Sequence, residues 1–227
     1  MLRAFRRQLK HLTEDLLALI LPARCLECNE LIRPPEYYIC QNCLNKHPRH
    51  CNRRPNYFSL LEYSGTIQKL VWHLKYDSRP EIGDYLGSYL GEELKKAALL
   101  EDPHKFVIVP VPLHPKRQRK RGYNQSDRLA LGLASALNCT SDDKLVSRNT
   151  NNVSQTTLNK NERGKNVQNI FAFCKEISAD KTFLIIDDVI TTGATTRELL
   201  KLFKEHNYSR VIAISLAAPA IGEFDES

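Results

Sequence analysis

No apolar run in this 227-residue chain reaches 18 residues, so the sequence offers no membrane-spanning helix. Glycine and proline are sparse, at 9 and 11 residues, which excludes collagen-like and low-complexity chains. The basic residues Arg3, Arg6, Arg7 and Lys10 are followed by no clean small-residue cleavage site, so a secretory leader is not expected. What remains is ordinary globular material, 42% hydrophobic and 26% charged, long enough for one domain plus a small module. The net charge is +7, from 33 basic and 26 acidic residues. Residues 1–60 carry +5 of it and residues 101–140 carry +4, while residues 181–227 are net acidic at −2. Basicity of this size favours anionic partners without naming one.

Near the N-terminus, Phe5, Leu9, Leu12, Leu16 and Leu19 recur at offsets of 4, 7, 11 and 14, the single apolar face of an amphipathic helix. Four of the seven cysteines follow closely, as Cys25-x2-Cys28-x11-Cys40-x2-Cys43. Each Cys-x-x-Cys can turn two sulfurs toward one point, and two such turns complete a tetrahedron of thiolates around zinc. The alternative is a disulfide pair, but three cysteines would be left over and no leader places the chain in an oxidising compartment. A closed four-sulfur shell predicts structural Zn2+ held by Cys25, Cys28, Cys40 and Cys43. Cys51, His47 and His50 lie nearby but make no second site. Cys139 and Cys174 are expected as small buried apolar residues.

The body of the chain alternates strand and helix signals. Strands are predicted at 57–63, 106–109, 168–174, 183–186 and 211–214. Helices are predicted over 67–74, over 81–98, after an N-cap at Ser126, and over 194–206 with Asn207 as its stop. Residues 139–167 read as a long polar loop. Such alternation predicts an α/β fold with a parallel sheet flanked by helices. The expected division is residues 1–55, an amphipathic helix and zinc ribbon, and residues 56–227, an α/β domain.

The sharpest feature is Phe183-Leu-Ile-Ile-Asp187-Asp188-Val-Ile-Thr191-Thr192-Gly193-Ala194-Thr195. A buried strand ends at two acids, and in a parallel sheet strand ends open onto the ligand crevice. A short hydroxyl-rich loop then enters a helix, where free backbone N–H groups can wrap a phosphate and Gly193 allows close approach. The acids cannot want the phosphate itself. They suit sugar hydroxyls, or a Mg2+ ion that neutralises a diphosphate.

This set resembles the phosphoribosyl diphosphate motif of type I phosphoribosyltransferases. The resemblance implies ribose hydroxyls at Asp187 and Asp188, directly or through Mg2+, and the ribose phosphate at Thr191, Thr192, Gly193, Ala194 and Thr195. Further pieces, namely Tyr63-Ser-Gly65, Leu74-Lys75-Tyr76, VPVPLHP at 109–115, RGYNQS at 121–126, Gln155-Thr156-x-Leu158, Glu162-Arg163 and Asn166-Val167, resemble the ComF family of competence proteins. A four-cysteine ribbon before a phosphoribosyltransferase-like domain is also that family's layout. The family often carries two arginines two apart before the glutamine. Here Arg148 remains and Thr150 takes the second place, which implies a weaker hold on diphosphate if that arginine contributes.

The resemblance implies a cytoplasmic protein of natural transformation that acts on incoming single-stranded DNA, with competence or recombination proteins as partners. It equally implies a second reading, a Mg2+-dependent phosphoribosyltransferase of the amidophosphoribosyltransferase type, with Asp187 and Asp188 as catalytic residues and Arg117 and Arg121 on the diphosphate. No base-recognition segment or glutaminase domain is visible in support of turnover. For DNA, the loop from Lys116 carries Arg117, Arg119, Lys120 and Arg121, which suit a sugar–phosphate backbone, beside Tyr123, which suits base stacking. Arg24, Arg33, Lys46, Arg49, Arg53 and Arg54 form a second basic set. The bland alternative is that Lys116 to Arg121 is only a solvated charge run.

Overall fold

A computed structural model describes residues 23–47, 56–97, 103–149, 170–178 and 180–220. The expected N-terminal helix, the polar segment 150–169 and Cys51 lie outside these residues. The chain divides into two compact units, residues 1–47 and 48–227.

In the first unit, the described residues are mostly turns. One antiparallel bridge joins Arg24 to Leu31 and another joins Tyr37 to Ile39. A one-turn helix, α1 (Gln41–Leu44), follows. Cys25, Ile32, Ile39, Cys40, Cys43 and Leu44 are buried and make up a very small core. A core of that size needs a staple.

The second unit is built on a parallel sheet. Its strands are β1 (Tyr57–Glu62), β2 (Phe106–Pro110), β3 (Thr140–Ser141), β6 (Thr182–Val189) and β7 (Val211–Ala218), in the order β1-β7-β6-β2-β3. A separate antiparallel ribbon pairs β4 (Val146–Arg148) with β5 (Phe171–Phe173). The helices are α2 (Gly65–Tyr76), α3 (Glu81–Lys96), α4 (Pro115–Arg121), α5 (Gln125–Leu137) and α6 (Ala194–Glu205). The continuous apolar runs in β2, β6 and β7 are buried on both faces, as a covered parallel sheet requires. One face packs Val107, Val109, Phe183 and Ile185 against Leu199, Leu202 and Phe203 of α6 and against Val146 and Phe171 of the ribbon. The other is covered by α5, which packs on β2 and β6.

Helices α3 and α5 cross unusually closely. A Cβ on Gly87 would lie 2.1 Å from the Leu129 carbonyl oxygen, and one on Gly132 would lie 2.1 Å from that of Asp84. Both contacts are backbone, so only glycine fits at either position.

Strand order places the crevice. From β2 the chain leads outward to β3, and from the neighbouring β6 it leads outward the other way to β7. The carboxyl ends of β2 and β6 therefore flank the point where the winding reverses, where ligands bind in open α/β sheets.

Four expectations change. The stretch expected as a polar loop from residue 139 holds two short strands, because Thr140–Ser141 pair with β2 and Val146–Arg148 with β5. The basic segment is not a loop but the helix α4. Pro115 sits at its first turn, the His114 ring accepts from the Lys116 N–H, and Gly122 ends it at φ 84°. Asn124, not Ser126, caps α5: its side-chain oxygen accepts from the Ser126 N–H, which leaves the Ser126 hydroxyl for another task. Cys139 is half-buried and Cys174 exposed, because each follows the end of an element and lies outside the core.

Candidate active site

The site grows from the register of β6. The Val111 N–H donates to the Ile186 carbonyl at 2.9 Å, so Asp187 and Asp188 emerge beside the segment that leads from β2 into α4. Asp188 is 4% exposed. Its Oδ1 accepts from the Val189 N–H at 3.0 Å. Its Oδ2 lies 2.6 Å from Lys75 Nζ at the end of α2, a close ion pair without hydrogen-bond alignment. Asp187 accepts at Oδ1 from the Ser126 hydroxyl and from the Asp188 N–H, both at 2.9 Å. Burial of its carboxyl, and then the charge of Asp188, push Asp187 up to about 8. Two adjacent enclosed carboxylates, only one of them balanced by a lysine, form a donor set that suits a hard cation or hydroxyl donors.

The Thr-Thr-Gly-Ala loop follows at once. Thr191, Thr192 and Ala194 are exposed, and Gly193 precedes α6 at φ 72°. The Ala194 N–H donates to the Thr192 hydroxyl at 3.4 Å. Among the described residues, the N–H groups of Thr191, Thr192, Gly193 and Thr195 have no acceptor, so they are free for an anion at the positive end of the helix. Arg197 reaches back, donating to the Thr192 carbonyl at 2.9 Å.

On the other flank, Lys116, Arg117, Arg119 and Lys120 are exposed on α4, and no residue of that helix is buried. Arg148 is brought in from the ribbon. Burial, and then the charge of Arg117, lower its pKa, while Asp187 acts the other way, so these three charged groups share one neighbourhood. Arg121 is held differently: it donates to Gln125 Oε1 and lies over the Tyr76 ring. Tyr123, the expected stacking ring, donates its hydroxyl to the Leu74 carbonyl, and burial pushes its pKa up to about 12. Its phenol therefore ties the α4–α5 junction to α2.

Residues 125–227 match the phosphoribosyl transferase domain family. DNA utilization protein YhgH of Escherichia coli is 30% identical over 175 residues, 76% of this chain and 74% of its own length. Competence protein F of Haemophilus influenzae is 28% identical over 208 residues, 85% and 89% of the two chains. Competence protein ComFC of Streptococcus pneumoniae is 29% identical over 158 residues, 70% and 66% of the two. The chain belongs to the ComF family. Its parallel sheet flanked by helices is that of a phosphoribosyltransferase-like fold.

This ComF chain also carries the cysteine cluster. The Sγ atoms of Cys25, Cys28, Cys40 and Cys43 all lie within 4.8 Å of one another, and those of Cys28 and Cys40 are 3.8 Å apart. Four thiolates about 2.3 Å from a tetrahedral zinc would lie about 3.8 Å apart, so the set fits a metal ion such as zinc. The Cys40 N–H points at Cys25 Sγ and the Cys43 N–H at Cys40 Sγ, at 3.5 and 3.4 Å. Burial acts to raise the Cys25 thiol, but backbone N–H groups from Cys28, Cys40 and Glu27 bring it down to about 6. Burial holds Cys40 and Cys43 up. His47 Nε2 is 2.7 Å from Glu27 Oε2, a hydrogen-bond partner other than the four sulfurs.

Lys75 and Ser126 belong to the site although reasoning from sequence gave them no role there. Both sit in quoted motifs, Leu74-Lys75-Tyr76 and RGYNQS, so the signal was present. Their link to β6 spans 113 residues for Lys75 and 61 for Ser126. No local pattern carries that.

Proposed function

We propose that this chain is a ComF-type competence protein that handles single-stranded DNA in the cytoplasm and keeps a phosphoribosyl diphosphate pocket at the carboxyl ends of β2 and β6. The observation that supports it best is the convergence of Asp187 and Asp188, the free N–H groups from Thr191 to Thr195, and the cations Arg117 and Arg148 around one crevice. In this reading the loop holds the ribose phosphate, the two acids face the ribose hydroxyls, and Arg117 and Arg148 face the diphosphate. Asp187 and Asp188 are also the residues that would hold magnesium, whose charge would offset that of the diphosphate. The exposed cations of α4 continue the positive surface outward, where a nucleic-acid backbone would run. The four cysteines hold structural zinc, which makes the small first unit foldable.

Calorimetry with phosphoribosyl diphosphate and magnesium tests the pocket: saturable heat is expected, lost in Asp187→Asn/Asp188→Asn. Mass spectrometry of the same mixtures addresses turnover. Release of diphosphate with an added nitrogen nucleophile would make this a transferase, and intact ligand would make the pocket a binding site. No heat at any magnesium concentration would remove the pocket from the reading.

A further inference from the structure

Helix α2 turns Ile67, Leu70, Val71 and Leu74 into the core. On its other side Trp72 and Tyr76 are 54% and 58% exposed, the two exposed aromatic residues among the described residues. They adjoin each other, with ring centroids 5.4 Å apart and planes inclined at 45°. The Arg121 guanidinium lies 5.5 Å from the Tyr76 centroid, over the ring. Arg121 is steadied there by Gln125, and the bond from the Tyr123 hydroxyl to the Leu74 carbonyl pins the end of α4 to α2. The exposed cations of α4 continue from Arg121, and Lys69 and Arg79 are exposed on and just beyond α2.

A solvated charge run needs no aromatic faces. Lipid insertion needs an aliphatic neighbour, but the exposed or half-exposed residues that flank these rings along the chain are Gln68, Lys69, His73, Lys75, Asp77, Ser78 and Arg79. Paired ring faces beside a row of cations match one ligand chemistry, bases that stack and phosphates that pair with cations. A duplex keeps its base faces inside, so the strand must be single. We propose that Trp72, Tyr76 and Arg121 form a stacking platform for the bases of a single-stranded nucleic acid whose phosphates follow α4. This rests on the reading of the chain as a handler of single-stranded DNA, and it moves the stacking role from Tyr123 to α2. Lys75, between the two rings in sequence, reaches Asp188, so one helix would serve both the platform and the pocket.

Trp72 is the single tryptophan of the chain, so its fluorescence reports on the platform directly. The test titrates the full-length protein with an end-labelled oligodeoxythymidylate of about 16 nucleotides, a length that spans one binding site. Label anisotropy and tryptophan emission are followed together. Saturable quenching is expected in step with anisotropy, with none from tripolyphosphate. Tyr76→Ala should weaken binding about tenfold and Tyr76→Phe should restore it, with both variants melting like the parent. Oligonucleotide binding with unquenched Trp72 and an unaffected Tyr76→Ala would overturn the platform and leave DNA handling in place. No anisotropy change even at low salt would remove DNA handling as well. Quenching by anionic phospholipid vesicles but not by oligonucleotide would assign the surface to a membrane and overturn the proposal.

Discussion

Replacing Lys75 by Met should destabilise the second unit by leaving Asp188 with an uncompensated buried charge. Removing one partner of a fully buried pair costs about 3–5 kcal/mol. Here the Asp188 side chain is 5% exposed, but that of Lys75 is 24% exposed, so its ammonium keeps some contact with solvent. Screening reduces the expected loss to about 2 kcal/mol. For a domain of this size that is a drop of about 4–8 °C in Tm. The decisive assay is a double-mutant cycle by urea denaturation on the parent, Lys75→Met, Asp188→Asn and the double variant. Asp188→Asn also relieves the repulsion on Asp187, so it should cost less than Lys75→Met. The double variant should be more stable than Lys75→Met alone, with a coupling of about 1–2 kcal/mol and an unchanged denaturant slope. Additivity within about 0.5 kcal/mol would refute the claim that this pair holds the end of α2 against β6.

Gly132→Ala sets a Cβ 2.1 Å from the Asp84 carbonyl oxygen, so α3 and α5 must part; a loss of about 3 kcal/mol is expected in thermal melts, and an unchanged Tm would contradict the close crossing. Burial, and then Asp143, hold Asp127 up to about 6, so the folded chain keeps that proton more tightly than the unfolded one. Its contribution to stability is complete below about pH 4 and lost as pH rises through about 6, and Asp127→Asn should remove that part of the slope in urea midpoints measured across this window. Purified protein should carry one zinc per chain by elemental analysis, and Cys28→Ser should lower that content while leaving the melt of the second unit in place.

The site was legible in its parts because its strongest signals are local. A buried run, two acids and a Thr-Thr-Gly loop locate β6 and the start of α6 within 13 residues; the helix begins at Ala194 as expected, while the strand, expected over 183–186, runs on through both acids to Val189. The cysteines carry their own spacing. Where the reading missed, it lacked either cap geometry or long-range contact. Serine favours the cap position that Ser126 suggests, yet Asn124 competes for it with an oxygen that accepts from the Ser126 N–H. The run from Lys116 to Arg121 shows no apolar period, so it read as a loop. It is Pro115 at the start and Gly122 in the left-handed region that make it a helix.

By itself, then, the sequence determined the α/β class, the cysteine cluster and the acid-then-threonine turn from β6 into α6, because each depends on residues within one strand, turn or helix. Tertiary structure alone decided which charges and rings meet. Lys75 was joined to Asp188, Ser126 to Asp187, and Arg148 to the neighbourhood of Arg117 by strand order and helix packing. The same packing turned Tyr123 inward to Leu74 and left Trp72 and Tyr76 outside. The physical reason is that side-chain charges and ring faces act over a few ångströms in space, whatever their separation along the chain.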